Sequence, residues 1–423
     1  MTRYALPAAA VLLAAALGWA LWRATPPVTP VALTPSLTGQ TEYCLTCHQG
    51  IEEISAAHPT SVFGCVRCHG GEPLALEADL AHSTLRGGAN PADLAVAEQN
   101  CGGEQCHSGP AALERDHLAR VTTSIQATYA GAIANIYYAF GGQPDLSPRY
   151  AVNAVAGLDP SGAPLALAAL PAATTPIFEK FQANCLGCHL EATAQDAPGY
   201  RRLTGCAACH SLTNAAGTYT GSDPTIARDE SGHAAQHRLT TAIPYTQCNA
   251  CHNRGNYDLR TLTFTPRGDA PVDRLHDYYQ PIAQCTLCEV ELDCVDCHTA
   301  GEAMGDGVLH PNQASVQYVE CRTCHGTLDA PPLTQTLTDP NDVALRRAAL
   351  NPLVPLALGD TVVVTTQGEA LWSVQQLPDG TFVQYSKVTG AAYAVPLVQG
   401  TACQQKPDEQ ASPDCHACHA VQR

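Results

Sequence analysis

CLTCHQGIEEISAAHPTSVFGCVRCH, residues 44–69, contains the same five-residue pattern twice, Cys-x-x-Cys-His. The pattern recurs at six other places: 185–189, 206–210, 248–252, 294–298, 321–325 and 415–419. A ninth copy, CGGEQCH at 101–107, has four residues between its cysteines. Two thiols at the regular spacing attack the two vinyl groups of one porphyrin, and the histidine that follows ligates the iron. The sequence therefore predicts nine haem c groups, and we number their motifs 1 to 9 in chain order.

Each motif supplies two thioether cysteines and one proximal iron ligand. The cysteines are Cys44, Cys47, Cys65, Cys68, Cys101, Cys106, Cys185, Cys188, Cys206, Cys209, Cys248, Cys251, Cys294, Cys297, Cys321, Cys324, Cys415 and Cys418. The proximal histidines are His48, His69, His107, His189, His210, His252, His298, His325 and His419. Disulfide frameworks and zinc sites do not require a histidine directly after every second cysteine, so the pattern disfavours both.

The other histidines are candidates for the second axial position, because electron-carrying haems usually take a histidine or methionine there. They are His58, His82, His117, His233, His237, His276, His310 and His416. Nine irons need 18 axial ligands and the chain has 17 histidines, so at most eight irons can carry two. At least one iron must use Met304, a water, a thiolate or a main-chain amine, or stay open. An open iron could bind a substrate.

Two spacings suggest how distal histidines are used. His233 and His237 are four residues apart, so on a helix both would face one way and could serve two neighbouring haems. His416 lies inside CHACH and cannot easily ligate the iron of its own motif. We expect it to reach an adjacent haem, which would bring two haems close together.

Three cysteines remain outside the nine motifs: Cys285, Cys288 and Cys403. CTLCE at 285–289 resembles a haem motif with glutamate in place of histidine. It could hold a tenth haem with an unusual ligand, or supply a thiolate ligand. A disulfide is the favoured interpretation, with Cys403 as a partner for one of the pair, since an oxidising compartment permits it.

Composition predicts a fold that is mostly irregular, with short α-helices packed around a chain of c-type haems. One haem per 47 residues (423/9) lets porphyrin replace much of the usual apolar core. Aromatic residues are only 6% of the chain, and 31 Pro and 33 Gly disfavour long regular elements. A net charge of −17 disfavours a nucleic-acid partner. The acidic surface suits docking to a basic redox partner, or is an ordinary solvated surface.

Residues 1–23 are predicted to be a signal or anchor segment. Ala5–Trp22 is apolar and reaches the short end of a membrane span, with Trp19 and Trp22 at the place of an interfacial belt. The segment either anchors the protein in the membrane or is cleaved. Both outcomes put the rest of the chain in the periplasm or at the cell surface, where c-type haems are attached.

The remaining chain divides into a Pro-rich spacer (24–40), a three-haem module (41–140), a linker or long loop (141–176), a five-haem module (177–330) and a β module with the C-terminal haem (331–423). His117 heads a predicted amphipathic helix in the three-haem module. Its apolar face is Leu118, Val121, Ile125, Tyr129, Ile133, Ile136 and Phe140. From 361 to 398, short β-rich runs alternate with Gly turns, which predicts a small antiparallel meander.

Four stretches resemble a group of exported multihaem cytochromes. They are HPTSVFGCVRCHGG at 58–71, GHAAQHRLTTAIPYTQCNACHNRG at 232–255, ELDCVDCHTAGEAMGDG at 291–307 and SKVTGAAYAVPLVQG at 386–400. The group is that of the octahaem tetrathionate reductase and hydroxylamine oxidoreductase relatives. The resemblance implies respiratory electron transfer outside the cytoplasm, with reduction of a nitrogen or sulfur oxyanion as a further option. No lysine follows a Cys-x-x-Cys pair, so the lysine-anchored haem of ammonia-forming nitrite reductases is not carried over.

These observations favour an electron-transfer protein over an enzyme. Mostly bis-His haems would carry electrons between a quinol-oxidising membrane complex or a periplasmic cytochrome and an extracytoplasmic acceptor, such as an outer-surface cytochrome. The alternative is a multihaem reductase of a small oxyanion at one haem that lacks a distal ligand. A further alternative is a subunit of a haem filament or surface complex, with the β module as the contact surface.

Overall fold

The computed structural model describes residues 29–194, 201–252 and 291–419, the strand segments 256–258 and 263–265, and Ala14. Helices make up 30% and strands 11%, so more than half of the chain is irregular. Within the described residues, no helix is both long and apolar enough to span a bilayer. The predicted signal or anchor segment lies almost wholly outside these residues.

The helices are short, and most begin at a side-chain cap or a proline. Asp93 and Asp342 accept hydrogen bonds from Ala95 N and Ala344 N, and Pro176 occupies a first helical turn. The helices are α1 (Thr60–Phe63), α2 (Val66–His69), α3 (Ala78–Ala81), α4 (Leu94–Asn100), α5 (His117–Thr123), α6 (Ile125–Thr128), α7 (Ala130–Ala139), α8 (Pro176–Cys185), α9 (Ala207–His210), α10 (Tyr245–His252), α11 (Cys294–Cys297), α12 (Ala300–Met304), α13 (Cys321–His325), α14 (Val343–Ala349) and α15 (Ser412–His419).

The strands form three sheets. They are β1 (Tyr150–Ala151), β2 (Val155–Leu158), β3 (Pro164–Ala169), β4 (Asn256–Asp258), β5 (Thr263–Thr265), β6 (Thr334–Thr336), β7 (Thr361–Val364), β8 (Ala370–Gln376), β9 (Phe382–Tyr385) and β10 (Ala392–Val395). The largest sheet has the order β10-β9-β8-β7-β6, with every pair antiparallel. Its strands β7 to β10 lie within 361–398, where the sequence predicts a β meander, and β6 was not predicted. β4 pairs with β5 in a separate hairpin.

Glycines with positive φ form the tips of the large sheet's tight turns. Gly380 (φ 86°) closes the β8–β9 hairpin, and Gly390 (φ 74°) closes the β9–β10 hairpin. Helix α14 packs against β8. Val362, Val374 and Phe382 are almost fully buried, so this module has an apolar core of its own.

The prediction of a linker at 141–176 is wrong. This segment forms a three-stranded sheet of order β1-β3-β2, with β1 parallel and β2 antiparallel to β3. Leu167 of β3 is buried against Ala130 and Leu309. The abundance of Ala, Pro and Gly hid the strands from the sequence analysis, because small residues give little apolar contrast between the two faces of a strand.

The single amphipathic helix predicted after motif 3 is instead three helices in succession, α5, α6 and α7. Ser124 is extended and its hydroxyl accepts from Ala127 N, which ends one helix and caps the next. Tyr129 adopts a left-handed conformation (φ 52°) and separates α6 from α7. His117 does begin the first helix, and Phe140, expected on the buried face, is 39% exposed.

The predicted three-haem and five-haem modules are not separate in the structure. Leu239 N donates to Ile54 O at 2.8 Å, and Tyr219 OH donates to the Glu52 carboxylate at 2.8 Å. Residues 219–239 therefore pack directly on residues 48–54. Contacts between segments so far apart along the chain cannot be derived from the spacing of the motifs alone.

Arg347 joins the β module to the chain that follows motif 3. Its guanidinium donates to the carboxylate of Glu114 through Nε (3.0 and 3.3 Å) and Nη2, and to Glu369 Oε1 at 2.6 Å through Nη1. The side chain of Arg347 is 18% exposed, and those of Glu114 and Glu369 are similarly covered. The two carboxylates thus share one cation between two distant parts of the chain.

Arg347→Met is expected to destabilise the haem-loaded protein by about 2–3 kcal/mol, because it removes the cation shared by two largely covered carboxylates and leaves Glu114 only the longer contact to Arg120 at 3.8 Å. Denaturant unfolding of the two proteins measures the difference. Arg346→Met is the matched control, since Nη1 of Arg346 donates only to Leu113 O at 2.9 Å and its loss is expected to cost about 1 kcal/mol. Equal losses in the two variants would contradict the proposed role of Arg347.

Candidate haem-binding sites

Most of the described motifs form a helical turn that closes on the first cysteine, and motif 4 differs because His189 N donates to Leu186 O at 3.1 Å. His48 N donates to Cys44 O at 3.1 Å, and His69 N donates to Cys65 O at 2.9 Å. One turn puts residues i, i+3 and i+4 on the same face, so both thiols and the imidazole project together. Motif 3 reaches the same closure over its longer loop, because His107 N donates to Cys101 O at 3.1 Å.

Four proximal histidines have an oxygen acceptor opposite Nδ1. The acceptors are Asp223 Oδ2 for His48 (2.7 Å), Thr240 O for His210 (2.8 Å), Glu302 Oε2 for His298 (3.3 Å) and Pro396 O for His325 (2.7 Å). A metal-bound imidazole usually donates its other N–H to such an acceptor, which leaves the Nε2 lone pair for the metal. These four rings therefore fit iron ligation.

Three proximal histidines face a predicted distal histidine. The ring centres of His48 and His82 are 6.1 Å apart, those of His69 and His237 are 6.0 Å apart, and those of His107 and His58 are 5.9 Å apart. Two imidazole nitrogens bound at about 2.0–2.1 Å to one metal ion put the ring centres roughly 6 Å apart. The spacing of these pairs thus fits one iron between each.

His117 lies beside the proximal histidine of motif 3. Its ring contacts His107, with 3.3 Å between the two Nδ1 atoms and ring planes inclined at 75°. Burial is the main cause that lowers the pKa of His117. His58 already has the spacing of an iron partner for His107, so the iron partner of His117 stays a prediction.

Among the histidines whose side chains the structure describes, His233 and His310 face no proximal histidine. His233 and His237 lie in irregular chain, so the expectation that a helix aligns them is wrong. Both ring nitrogens of His310 are engaged, Nδ1 by Ser315 Oγ at 3.1 Å and Nε2 by the Asp306 carboxylate at 2.9 Å. His276 and the side chain of His416 lie outside the described residues, so the roles of these histidines stay predictions.

Cys285 and Cys288 also lie outside the described residues. Cys403 forms no disulfide within the part of the chain that is described. Its pairing with either cysteine stays a prediction.

First cysteines of different motifs meet in space. The thiols of Cys44 and Cys65, of Cys248 and Cys294, and of Cys321 and Cys415 are in hydrogen-bond contact. Burial and, after it, the nearby thiol of Cys206 raise the pKa of the Cys101 thiol to about 12. The contacts link motif 1 to 2, 6 to 7 and 8 to 9. Motif 5 is joined to the segment that leads into motif 3, because Cys206 N donates to Ala92 O at 3.0 Å.

Hydrogen bonds join these pairs into one series. Arg67 of motif 2 donates to Asn100 O at 2.6 Å, directly before motif 3. Gln247, directly before motif 6, donates to Ala208 O of motif 5 at 2.7 Å. The Glu302 carboxylate that contacts His298 of motif 7 also accepts from Val319 N at 2.8 Å, two residues before motif 8. The resulting order is 1-2-3-5-6-7-8-9.

Motif 4 lies beside this series. It contacts motif 6 through the second cysteines, with 3.7 Å from Cys188 Sγ to Cys251 O and 3.5 Å from Cys251 Sγ to Cys188 O. The aromatic ring that faces His189 is that of Tyr129, with ring centres 6.4 Å apart and planes inclined at 69°. Glu191 N donates to His189 Nδ1 at 3.0 Å, so iron ligation by His189 requires this contact to open.

Arg202 supplies the positive charge at motif 4. It is 6% exposed, and its Nη2 donates to the carbonyls of Gly187, His189 and Ala192 at 2.9–3.2 Å. Burial and then the Arg202 charge lower the pKa of His189. The carbonyls are neutral, so the charge of Arg202 is not cancelled by them.

Exposed apolar side chains near a predicted ligand also fit a porphyrin. Leu74, Leu76 and Leu80 are 41–56% exposed in the segment that leads to His82. Clustered exposed leucines mark a surface that another apolar group covers. A haem held by motif 1 would provide that group.

Most of the residues that support the imidazoles, and the ring that faces motif 4, were not predicted from the sequence. Asp223 and Tyr129 lie far along the chain from the motifs they contact, and no local pattern reveals them. Glu302 was accessible from the sequence, because Thr299 and Glu302 have the spacing of a capping box directly after His298. Glu42 accepts from Cys65 N at 2.7 Å and caps motif 2, which explains its position within 4.8 Å of two thiols.

Glu52 makes the contact with residues 219–239 dependent on pH. Burial raises the pKa of the Glu52 carboxyl, but hydrogen bonds from Ser222 N, Tyr219 OH and His237 N outweigh burial and bring the pKa below 4.5. A carboxyl whose folded-state pKa is depressed stabilises the fold above its unfolded-state pKa. This stabilisation is therefore present above pH 4.5 and is lost as the pH falls through the folded-state pKa.

Glu52→Gln is expected to cost about 1 kcal/mol at neutral pH, as the loss of charge-assisted hydrogen bonds at a half-exposed site. The variant should also lose less stability than the native protein when the pH falls below 4.5. Denaturant unfolding across this pH range measures both effects. Glu77→Gln, at an exposed carboxylate, is the control, and an unchanged acid dependence in Glu52→Gln would contradict the prediction.

Comparison with known proteins gives no relative: no family model, no curated protein and no solved structure matches this chain.

Proposed function

We propose that this chain is a nonahaem c-type cytochrome that moves electrons between a membrane or periplasmic donor and an extracytoplasmic acceptor. The observation that carries the proposal is the contact between neighbouring haem motifs, which links eight of them in one series from motif 1 to motif 9. Electron tunnelling falls steeply with distance, so cofactors anchored at adjoining motifs exchange electrons fastest.

The chain's own residues orient and tune the ligands. Bound haem would supply the one-electron couple of its iron. Asp223 and Glu302 accept from proximal imidazoles, which increases the basicity of these ligands and favours the oxidised iron. Thr240 O and Pro396 O are neutral acceptors and have a weaker effect. The difference between charged and neutral acceptors gives the haems unequal potentials.

The net charge of −17 supports a redox partner with a basic docking surface. The predicted N-terminal signal or anchor segment supports a location in the periplasm or at the cell surface. A quinol-oxidising membrane complex is the proposed donor, and a periplasmic or outer-surface cytochrome the proposed acceptor.

Two measurements on protein from a host that attaches haem c test the proposal. Intact mass counts the haems, and nine are expected. Stopped-flow oxidation of the reduced protein by a basic cytochrome should then be fast at low ionic strength and slower in salt, because screening weakens steering between opposite charges. A colourless protein, or a haem protein whose haems do not exchange electrons with an external partner, would overturn the proposal.

A further inference from the structure

We infer that the buried ammonium of Lys387 sets the reduction potential of the haem at motif 7, and that it acts through its charge and not as an iron ligand. The inference rests on the proposed haem-carrying function and assigns one residue of the β module to one haem. It gives the β module a part in electron transfer at motif 7, far along the chain from the C-terminal haem that the module precedes.

The turn between β9 and β10 places Lys387 directly on motif 7. Its Nζ donates to Val295 O at 2.6 Å, and its backbone N donates to Asp296 Oδ1 at 2.6 Å. Val295 and Asp296 are the two residues between the cysteines of this motif. The carbonyls at the end of a helix lack partners within the helix, so a lysine that donates to one of them caps α11. The ammonium is therefore held at a fixed place beside the two haem-attaching thiols.

The β module encloses the Lys387 side chain. Lys387 is 8% exposed, and its Nζ lies 5.1 Å from the ring centre of Trp372, where the face of the indole attracts a cation. Burial lowers the pKa of Lys387, and the negative charge of Asp296 opposes this effect. A charge in such a poorly screened environment acts strongly on its neighbours.

The charge of Lys387 reaches the proximal imidazole of motif 7. The contact with Glu302 raises the pKa of His298, and the positive charge of Lys387 acts against this increase. The same opposition applies to the iron that His298 would ligate. Negative charge nearby stabilises the oxidised state and lowers the potential, whereas positive charge raises it. Lys387 therefore offsets the effect of Glu302 on this haem.

The position of motif 7 makes its potential important for the whole series. It is joined to motif 6 through the contact of Cys248 with Cys294, and to motif 8 through Glu302 and Val319. A haem whose potential lies far below those of its neighbours is an uphill step that adds to the barrier for each electron. By raising this potential, Lys387 keeps the haem of motif 7 within reach of the haems on either side.

A spectroelectrochemical titration of the haem-loaded Lys387→Met variant tests the inference. Methionine keeps most of the length of the side chain but removes the charge. The potential of one haem out of nine should fall, with a change of about tenfold in its ratio of oxidised to reduced iron, which is about 59 mV for one electron. The shift should be absent in a chain that also carries Cys294→Ala and Cys297→Ala, because that chain lacks the haem of motif 7.

Gln384→Met is the matched control. Gln384 Nε2 donates to Asp296 O at 2.8 Å, so this change removes a neutral contact between the β module and the same motif. It should leave all the potentials in place. Lys387→Arg keeps the positive charge and should keep the native potential.

Equal shifts in Lys387→Met and Gln384→Met would overturn the inference, because a loss of packing would then explain both. Unchanged potentials in Lys387→Met would overturn it as well. If Lys387→Met attaches fewer than nine haems, Lys387→Gln, which keeps a donor for Val295 O, takes its place in the titration. Loss of the haem of motif 7 in both variants would show that Lys387 only holds the motif. Each of these results leaves the electron-transfer proposal standing, whereas a native protein without haem would overturn the proposed function.

Discussion

Replacement of Cys248 and Cys251 by alanine is expected to cut the series of haems in two. Motif 6 is the link between motif 5 and motif 7, through Gln247 on one side and the Cys248–Cys294 contact on the other. Without its haem, electrons must cross the gap between motifs 5 and 7 in one step. Because tunnelling decays exponentially with distance, we expect transfer between the two ends to be almost abolished.

An electrode attached at one end can count the haems that remain connected. Lys406 is a suitable point of attachment for the electrode, because its side chain is 73% exposed. It also lies close to motif 9, since neighbouring Gln405 donates to Asp414 O directly before that motif. Lys180→Arg removes the other exposed lysine, and Lys387 is buried. Fast voltammetry of the native series should address nine haems. In the motif 6 variant it should address only the three of motifs 7, 8 and 9 out of the eight that remain.

Replacement of Cys185 and Cys188 by alanine, the cysteine variant of motif 4, is the matched control. It also loses one haem, but motif 4 lies beside the series, so all eight remaining haems should stay connected to the electrode. If the motif 6 variant also keeps eight haems connected, the proposed order is wrong. If the motif 4 variant disconnects motifs 1, 2, 3 and 5, motif 4 carries the current and is not a side branch.

The helical turns of the cysteine motifs can be predicted from the sequence because the proposed haem-attachment chemistry is local. Two thiols and an imidazole must lie within one helical turn. This requirement is met by five adjacent residues, so it is visible as a short sequence motif. Even the longer loop of motif 3 follows the rule, since His107 returns to the carbonyl of Cys101. The second axial position has no such local requirement. His69 lies in the predicted three-haem module and His237 in the predicted five-haem module. Their rings face each other only because the folded chain brings the two segments together.

Secondary structure was predictable where side-chain contrast is strong. The segment from β7 to β10 combines β-branched and aromatic residues with glycine turns. These four strands are neighbours in the five-stranded sheet, as the pattern predicts. The strand β3, PLALAA, has too little contrast, and composition alone indicates a loop. The break at Tyr129 contradicts the apolar periodicity around it. Periodicity reports which residues face a core, and it does not report a single left-handed residue that redirects the helix.

The absence of haem is expected to unfold much of the chain. The reason is that buried apolar side chains are concentrated in some segments and scarce in others. Val362, Val374 and Phe382 are buried within the β module, and Ile133 and Phe181 are buried between motifs 3 and 4. The segments that hold motifs 1 and 2 have no comparable apolar cluster among the described residues. If the proposed haems are attached, they would supply most of the apolar burial in those segments.

A chain made in the cytoplasm without residues 1–23 and without attached haem should consequently lose most of its fold and keep the β module. Limited proteolysis should leave a resistant fragment of about residues 331–400, recognisable by Trp372, the one tryptophan outside residues 1–23. The haem-loaded protein should resist the same protease along most of its length. Phe382→Ala, which removes about 3–5 kcal/mol from a buried site, should abolish the fragment in the haem-free chain. Equal resistance of the haem-free and haem-loaded proteins would show that the polypeptide builds its core without porphyrin, which the thin packing around motifs 1 and 2 argues against.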